Sequence, residues 1–355
     1  VYLKGLLTAL KASNKSVMHQ MMGDVKGFLR IHFHYAAIEA GLVEALREPA
    51  TKQSVAQTLS VVRPELLDAL LELGVTLGEL AYSDGKYRCQ GPFFRCLATE
   101  DADALAAFTE ALVTYYNSVY RDLSDRLLGE PLGNYLPEIG RLVARASRLA
   151  EPFVNSFIES VVPHRRSVRI LDVGCGEAGY LRHCAQFNPL ATGVGLEMDK
   201  RVAALAQENL MRGKIDDRFR AVAGDLQQTP AEVGQGFDLV FLFNAVYYFA
   251  PQDRTSLFAR LREFLLPGGQ LLVVSQFAGG RDLFAANLGA ATCSMTGCWS
   301  LPKLEETESQ LVAAGLEPIR VVHLLPRSSY LGVIAQKTLE SRSCKSVDGS
   351  SGCQR

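Results

Sequence analysis

In the stretch RILDVGCGEAGYL, Arg169 to Leu181, an apolar run ends in an acid, Asp172, and then in a cluster of glycines, Gly174, Gly176 and Gly179. A strand that ends in glycines and enters a helix brings free backbone N–H groups close to a ligand. By itself the G-x-G-x-x-G spacing is shared with dinucleotide dehydrogenases and with turns that bind nothing. Two further acids narrow it. Glu197, in VGLEMD, ends the next apolar run, where a carboxylate accepts both hydroxyls of a ribose. Asp225, in AGDLQ, ends the third, with Leu226 beside it, within reach of an adenine amino group.

The position of Asp172 sets the charge of the ligand. A carboxylate is repelled by a pyrophosphate and stabilised by an ammonium. An adenine, a ribose and a positive amino-acid end without phosphate describe S-adenosylmethionine, with S-adenosylhomocysteine as the product of methyl transfer.

The elements that must position these groups are legible in the period of the apolar residues. From Ser167, the short strands VRILDVG, TGVGLEM, RFRAVAG, FDLVFLF, QLLVVSQ, PIRVVHLL and YLGVIAQ alternate with helical stretches. That alternation implies a mostly parallel sheet covered on both faces. The last two strands, separated only by PRSS, are expected as an antiparallel hairpin at one edge. Before Leu97 the pattern is helical. FHYAAIEAGLVEALRE reads as one helix, TKQSVAQTLSV as a second capped by Thr51, and RPELLDALLELGVTLGEL as a third opened by Pro64. LAYSDGKYRCQG then reads as a hairpin turning at Asp84–Gly85. Helix, helix, helix, hairpin is the winged-helix order. Its third helix carries Glu65, Asp68, Glu72 and Glu79 against Arg63, so DNA phosphates would repel it. The expected divisions are 1–100, a helical and tyrosine-rich 101–162 in which FTEALVTYYNSVYRDLSDRLLG is one helix, 163–338, and a polar, disordered tail at 339–355.

Taken as a set, LDVGCGEAGYL, GLEMD, AGDLQ, FDLVFLFNAVYYF and LLPGGQLLVVSQ resemble the successive motifs of the class I S-adenosylmethionine-dependent methyltransferases, over about Arg169 to Gln336. One departure is Ala178, where that family usually has glycine; alanine suits the place if the local φ is negative. Through YAAIEAGLVEAL and DGKYRCQG, the first part resembles the winged-helix dimerisation domain of the small-molecule O-methyltransferases of secondary metabolism. The resemblance implies an α/β Rossmann-like domain, with a seven-stranded sheet and an antiparallel C-terminal hairpin, plus a helical winged-helix-like dimerisation domain. It implies a homodimer, a small-molecule acceptor, and helices of 101–162 that roof the acceptor pocket. Gly174 and Gly176 would admit the methionine portion, Glu197 the ribose and Asp225 the adenine. Asn244 would line the methyl-transfer end, and Tyr180 would cover the ligand or simply pack.

Transfer from a sulfonium is an in-line displacement that needs alignment above all, and a hydroxyl acceptor also needs a general base. Relatives carry a His-Asp pair just after the fourth strand; here that place holds Tyr247 and Tyr248. A phenol with a pKa of about 10 is a poor resting base. The chemistry is therefore open to a nitrogen, carbon or sulfur acceptor as well as oxygen, or to a base from the first half. His34, two residues from His32, is the candidate there. Tyr115, Tyr116 and Tyr120 are candidates for the acceptor pocket, with core packing as the alternative, and Trp299 is a flat apolar cap for it. Cys293 and Cys298 read as small packing residues, so no metal is expected. An enzyme of the same fold using the nucleotide for chemistry other than methylation, and a non-catalytic regulator that binds it, are the rival readings.

The bulk numbers bound the rest. At 355 residues and 48% hydrophobic the chain suits two domains. With 37 basic against 38 acidic side chains it lacks the positive surplus that nucleic acid or an anionic membrane surface requires. The eight cysteines show no C-x2-C pair, and no apolar run approaches the roughly 20 residues of a membrane span. A cytoplasmic protein with reduced thiols is expected.

Overall fold

The computed structural model describes residues 15–99 and 102–338. The tail expected at 339–355 lies outside the described residues. The chain divides into two compact units, Val1–Pro152 with Ser294–Thr296, and Phe153–Cys293 with Gly297–Arg355.

In the first unit a long helix, α1 (Lys15–Glu39), leads into α2 (Leu42–Ala45), α3 (Lys52–Thr58) and α4 (Pro64–Leu77). The expected single helix over FHYAAIEAGLVEALRE is broken at Gly41, whose φ of +74° turns the chain between α1 and α2. Thr51 caps α3 by accepting the Ser54 N–H, and Pro64 opens α4 where a missing N–H costs nothing. The hairpin of β1 (Leu80–Ser83) and β2 (Lys86–Cys89) turns at Asp84 and Gly85, both at positive φ, as a two-residue loop of this hand requires. Phe33, Leu42, Leu71, Leu80 and Phe94 form the buried centre of this unit. A Cβ on Gly74 would stand 2.6 Å from the Phe33 ring, so glycine lets α4 close on α1.

Downstream, α5 (Pro92–Leu97) precedes α6 (Asp103–Ala111), which runs into a π-helical turn at Leu112–Tyr116 and then α7 (Asn117–Arg121). The expected single helix here ends at Asp122, beyond which a separate α8 (Leu123–Leu127) begins. The amphipathic α9 (Leu136–Ser147) lies against α6, and its Arg145 pairs with Asp103 and Glu110.

The second unit, entered through α10 (Glu151–Glu159), is built on seven strands: β3 (Val168–Val173), β4 (Ala191–Glu197), β5 (Phe219–Ala223), β6 (Phe237–Phe243), β7 (Leu265–Gln276), β8 (Leu316–His323) and β9 (Tyr330–Lys337). Their order across the sheet is β5-β4-β3-β6-β7-β9-β8. The first five run parallel, and β9 is inserted antiparallel between β7 and β8. β7 starts at Leu265, earlier than its apolar run suggests, because Leu265 pairs with Phe237 ahead of a register shift. Helices α11 (Gly179–Phe187), α12 (Lys200–Arg212), α13 (Arg254–Phe264), α14 (Leu283–Cys293) and α15 (Leu304–Ala313) complete it. Alternate residues Leu171, Val173, Val240, Leu242, Val273 and Val333 pack with Leu257 and Leu261 of α13 into one core. Gly332, pointing to the opposite face, lies under the Phe157 ring of α10, where a Cβ would come within 2.6 Å.

This is the mostly parallel α/β sheet with an antiparallel hairpin read from the sequence. Its strands β3, β4, β5 and β6 present their carboxyl ends side by side, which is where the singled-out acids and glycines fall.

Candidate active site

Asp172 is the penultimate residue of β3 and keeps only 1% of its surface. Its Oδ2 is buried with no hydrogen-bond partner. Burial, and then the negative Glu197 across the strand gap, push its pKa up to about 7. A carboxylate in that setting is destabilised until a cation or a donor reaches it.

The turn beyond it is sewn to β4. The N–H groups of Gly174 and Cys175 both donate to Leu196 O, at 2.8 and 3.2 Å. Gly176 N–H donates to Glu197 Oε2 and Asp199 N–H to its Oε1, each at 3.1 Å. A carboxylate has about four acceptor positions, so Glu197 retains capacity for two more donors. Gly174 and Gly176 hold φ values of +73° and +52°. A Cβ on Gly176 would meet nothing within 4 Å, and on Gly174 only Ala245 Cβ at 3.9 Å. Protein crowding therefore does not select glycine here; the left-handed backbone does, and the open side is a cradle that a side chain would fill.

Ala178 overturns one expectation. It was to be tolerable at negative φ, yet its φ is +62° and its side chain is fully buried. Left-handed backbone costs an alanine roughly 1–2 kcal/mol, which the surrounding structure must offset. Tyr180, in the first turn of α11, meets Phe243 edge-on with ring centroids 5.2 Å apart.

Asp225, after β5, is exposed and accepts Gln227 N–H at 2.9 Å, opening a short 3-10 turn. Leu226 turns its side chain into the main core. Asn244, just beyond β6, has a φ of +52° and donates from Nδ2 to the Tyr330 hydroxyl at 3.0 Å. Tyr330, which no local pattern singles out, is buried, and burial pushes its phenol up to about 12.

Tyr247 and Tyr248 share a 3-10 turn, their rings 4.9 Å apart. Tyr247 is buried. Tyr248 keeps 38% of its surface, yet burial around the hydroxyl pushes it up to about 12, with Cys298 and Glu197 adding to the shift. The phenol is thus farther from serving as a base than a free tyrosine. Trp299 donates its N–H to Tyr247 O at 2.8 Å, which brings it beside this turn. Cys298 is buried and its thiol is pushed up to about 11 by that burial, while Cys293 is exposed. No group of three or more His, Cys, Asp or Glu side chains able to hold a metal occurs among the described residues.

The remaining candidates belong to the first unit. His34 is 3% exposed, its Nε2 lies 3.1 Å from Glu79 Oε2, and its ring stacks on Phe93 at 4.6 Å. Arg30 reaches the other oxygen of Glu79 at 2.9 Å. The imidazole is sealed and committed to Glu79, a partner 45 residues away that spacing could not reveal. Tyr115 is buried with its hydroxyl 3.3 Å from Met295 Sδ, and it contacts Tyr116 and Tyr135 edge to face or tilted. Tyr120 is 51% exposed.

The residues of the second unit fit S-adenosylmethionine. The unpartnered, buried oxygen of Asp172 suits an ammonium, the glycine cradle admits a chain beside it, and Glu197 has acceptor positions for hydroxyls.

Comparison with known proteins points to a methyltransferase. A methyltransferase domain model matches residues 170–269. Demethylspheroidene O-methyltransferase of Cereibacter sphaeroides is 25% identical over 282 residues, covering 74% of this chain and 71% of that protein. Trans-aconitate 2-methyltransferase of Deinococcus radiodurans is 33% identical over 137 residues; the match covers 39% of this chain and about half, 48%, of that protein. The structure of the mitomycin 7-O-methyltransferase MmcR superposes with a TM-score of 0.75 at 19% identity, covering 93% of this chain and all of that one, a likeness of fold.

Proposed function

We propose, from the premise that this chain is a class I S-adenosylmethionine-dependent methyltransferase, that it methylates a small, at least partly apolar acceptor at an atom already nucleophilic. The bound cofactor supplies an electrophilic methyl group on a sulfonium. The chain's part is to hold and orient. Asp172 receives the ammonium in a site that is otherwise dry, Gly174 and Gly176 admit the methionine portion, and Glu197 and Asp225 take the ribose and the adenine.

The observation that carries the reading is the buried, unpartnered carboxyl oxygen of Asp172 beside Glu197 at the ends of adjacent strands. The reading of the acceptor rests on Tyr247 and Tyr248. Burial pushes the Tyr248 phenol up to about 12, so it is not a base at neutral pH, and an acceptor that must be deprotonated is disfavoured. An ionised oxygen, a nitrogen, a sulfur or an activated carbon needs no such help. The named O-methyltransferase relative favours oxygen among these.

A homodimer through the first unit and a cytosolic setting are parts of the same proposal. The N-terminal half of α1 leaves Met18, Met21, Met22, Val25 and Phe28 exposed by 40 to 57% along one helix, which suits an apolar partner such as a second copy. The exposed acids Glu65, Asp68 and Glu72 on α4 suit a partner other than nucleic acid. No helix among the described residues is long and apolar enough to cross a membrane. Six described cysteines are free thiols.

Calorimetric titration with S-adenosylmethionine, S-adenosylhomocysteine and NADH tests the cofactor. Micromolar binding of the first two and none of NADH is expected; binding of NADH alone would overturn the assignment. An acceptor screen read as a gain of one methyl mass then identifies the atom, and turnover without added methyl mass would favour other chemistry.

A further inference from the structure

Arg254 is the first residue of α13 and keeps 2% of its surface. No carboxylate lies at ion-pair distance from it among the described residues. Its Nε donates to Phe249 O at 3.2 Å, and a terminal nitrogen donates to Ser300 O. Burial lowers its pKa, only partly opposed by the more distant Glu306. A cation at a helix N-terminus also meets the positive end of the helix dipole. Burial, dipole and the lack of a close counter-ion all oppose a charge here, and an apolar side chain of similar volume would avoid all three.

What an apolar side chain would lack is the pair of donors. Phe249 directly follows Tyr248, and Ser300 directly follows Trp299, whose N–H donates to Tyr247 O at 2.8 Å. The guanidinium therefore closes a ring of contacts between two segments that no strand ladder holds, 247–249 and 299–300. One link is the backbone bond from Trp299 to Tyr247, and the other is Arg254 itself.

We propose that Arg254 is a positioning residue of the transfer site, fixing the Trp299 segment against the Tyr247–Tyr248 turn so that the acceptor side of the site keeps one shape. This rests on the reading that Tyr247 and Tyr248 face the transfer end. Hydrogen bonds from a charged donor are stronger than neutral ones, and two of them hold a short loop in one arrangement.

Trp299 is the only tryptophan in the chain, so its fluorescence reports on this segment alone. In Arg254→Met the emission should move to longer wavelength and acrylamide quenching should rise, with the affinity for S-adenosylhomocysteine held at the wild-type value by calorimetry. Arg254→Lys, whose compact ammonium lacks the wide planar fork with which two guanidinium nitrogens reach the two carbonyls, should fall between. Wild-type emission and quenching in a folded Arg254→Met protein would overturn the proposal. If that variant does not fold, wild-type emission in Arg254→Lys overturns it equally. Loss of S-adenosylhomocysteine binding together with the spectral change would show a general scaffold role and also overturn it. Failure of the wild-type protein to bind S-adenosylhomocysteine would sink the cofactor reading, while the emission comparison would still decide the role of Arg254.

Discussion

Glu197 accepts the backbone N–H of Gly176 at 3.1 Å, so the acid that ends β4 also holds the glycine turn that ends β3. Under the proposed function, ligand recognition and local structure share one side chain. Glu197→Gln keeps one acceptor, for Gly176 N–H, but turns an amide N–H2 toward Asp199 N–H, and is expected to lower S-adenosylhomocysteine affinity by about 10-fold or more with a smaller loss of melting temperature than Glu197→Ala. Glu197→Ala leaves the N–H groups of Gly176 and Asp199 without their acceptor and should also destabilise by about 1–3 kcal/mol. Calorimetry and thermal melting separate the two. Equal melting temperatures for both variants would deny Glu197 its structural half.

Asp172 predicts a pH dependence. Its pKa rises from 3.8 in the unfolded chain to about 7 in the fold, so between those values the folded state holds a proton that the unfolded state has lost. Its contribution to the stability of the ligand-free protein is therefore greatest below about pH 4, declines as pH rises towards 7, and is level above. An ammonium ligand reverses the preference, since it needs the ionised form. S-Adenosylhomocysteine affinity should fall by up to about 10-fold per pH unit below 7. Asp172→Asn should flatten that profile, weaken binding, and raise the ligand-free melting temperature at pH 8. A pH-independent wild-type affinity between 5.5 and 8 would count against Asp172 as the ammonium acceptor.

Ala178 is strained by its φ of +62° yet buried. Relief of roughly 1–2 kcal/mol in Ala178→Gly is offset by the lost methyl contact, about 0.8 kcal/mol, and by a freer unfolded chain, about 0.4–1 kcal/mol. That substitution should be nearly neutral in thermal melting. Ala178→Val, with a β-branched side chain at positive φ, should be clearly destabilising. A valine variant that melts like wild type would mean that the turn relaxes and stores no strain.

His34 separates structure from catalysis. Burial lowers its pKa, against the raising effect of Glu79, so the imidazole is held neutral. Its share of stability is present above about pH 6.5 and is lost as pH falls. His34→Ala should cost about 2–4 kcal/mol of stability through the cavity and the exposed demand of Glu79, without changing S-adenosylhomocysteine affinity. A rate loss of 10²–10⁴-fold (an order-of-magnitude range) at wild-type stability would instead make it the general base.

The strands were legible because each is a short apolar run bounded by glycine, proline or polar residues, and the hairpin because Asp84–Gly85 is a pair that accepts positive φ. The acids at the strand ends were legible for the same reason, since their places follow from where the runs stop. What stayed hidden depends on pairings between distant residues. Glu79 meets His34, Tyr330 meets Asn244, and Ser300 meets Arg254 only once the chain has folded. The break at Gly41 was missed because the apolar spacing continues across it, although a glycine stood at the place. The backbone sign at Ala178 could not be read from its identity, because alanine argues for negative φ and the turn imposes the opposite.

The position of β9 has a consequence for how the protein is made. A ribosome releases the chain at about 5–20 residues per second, from the N-terminal end first. β9 follows β7 and β8 in sequence yet lies between them in the sheet. While it is still being synthesised, the long apolar edge of β7 has no neighbour and β8 has nothing to pair with, and such an edge is a template for wrong partners. The sheet cannot grow outward strand by strand; it has to keep a gap for the strand that arrives last. Tyr330 and Gly332 travel on that strand, so the Asn244 contact and the seat for Phe157 are completed only when translation has passed the other strands of the second unit.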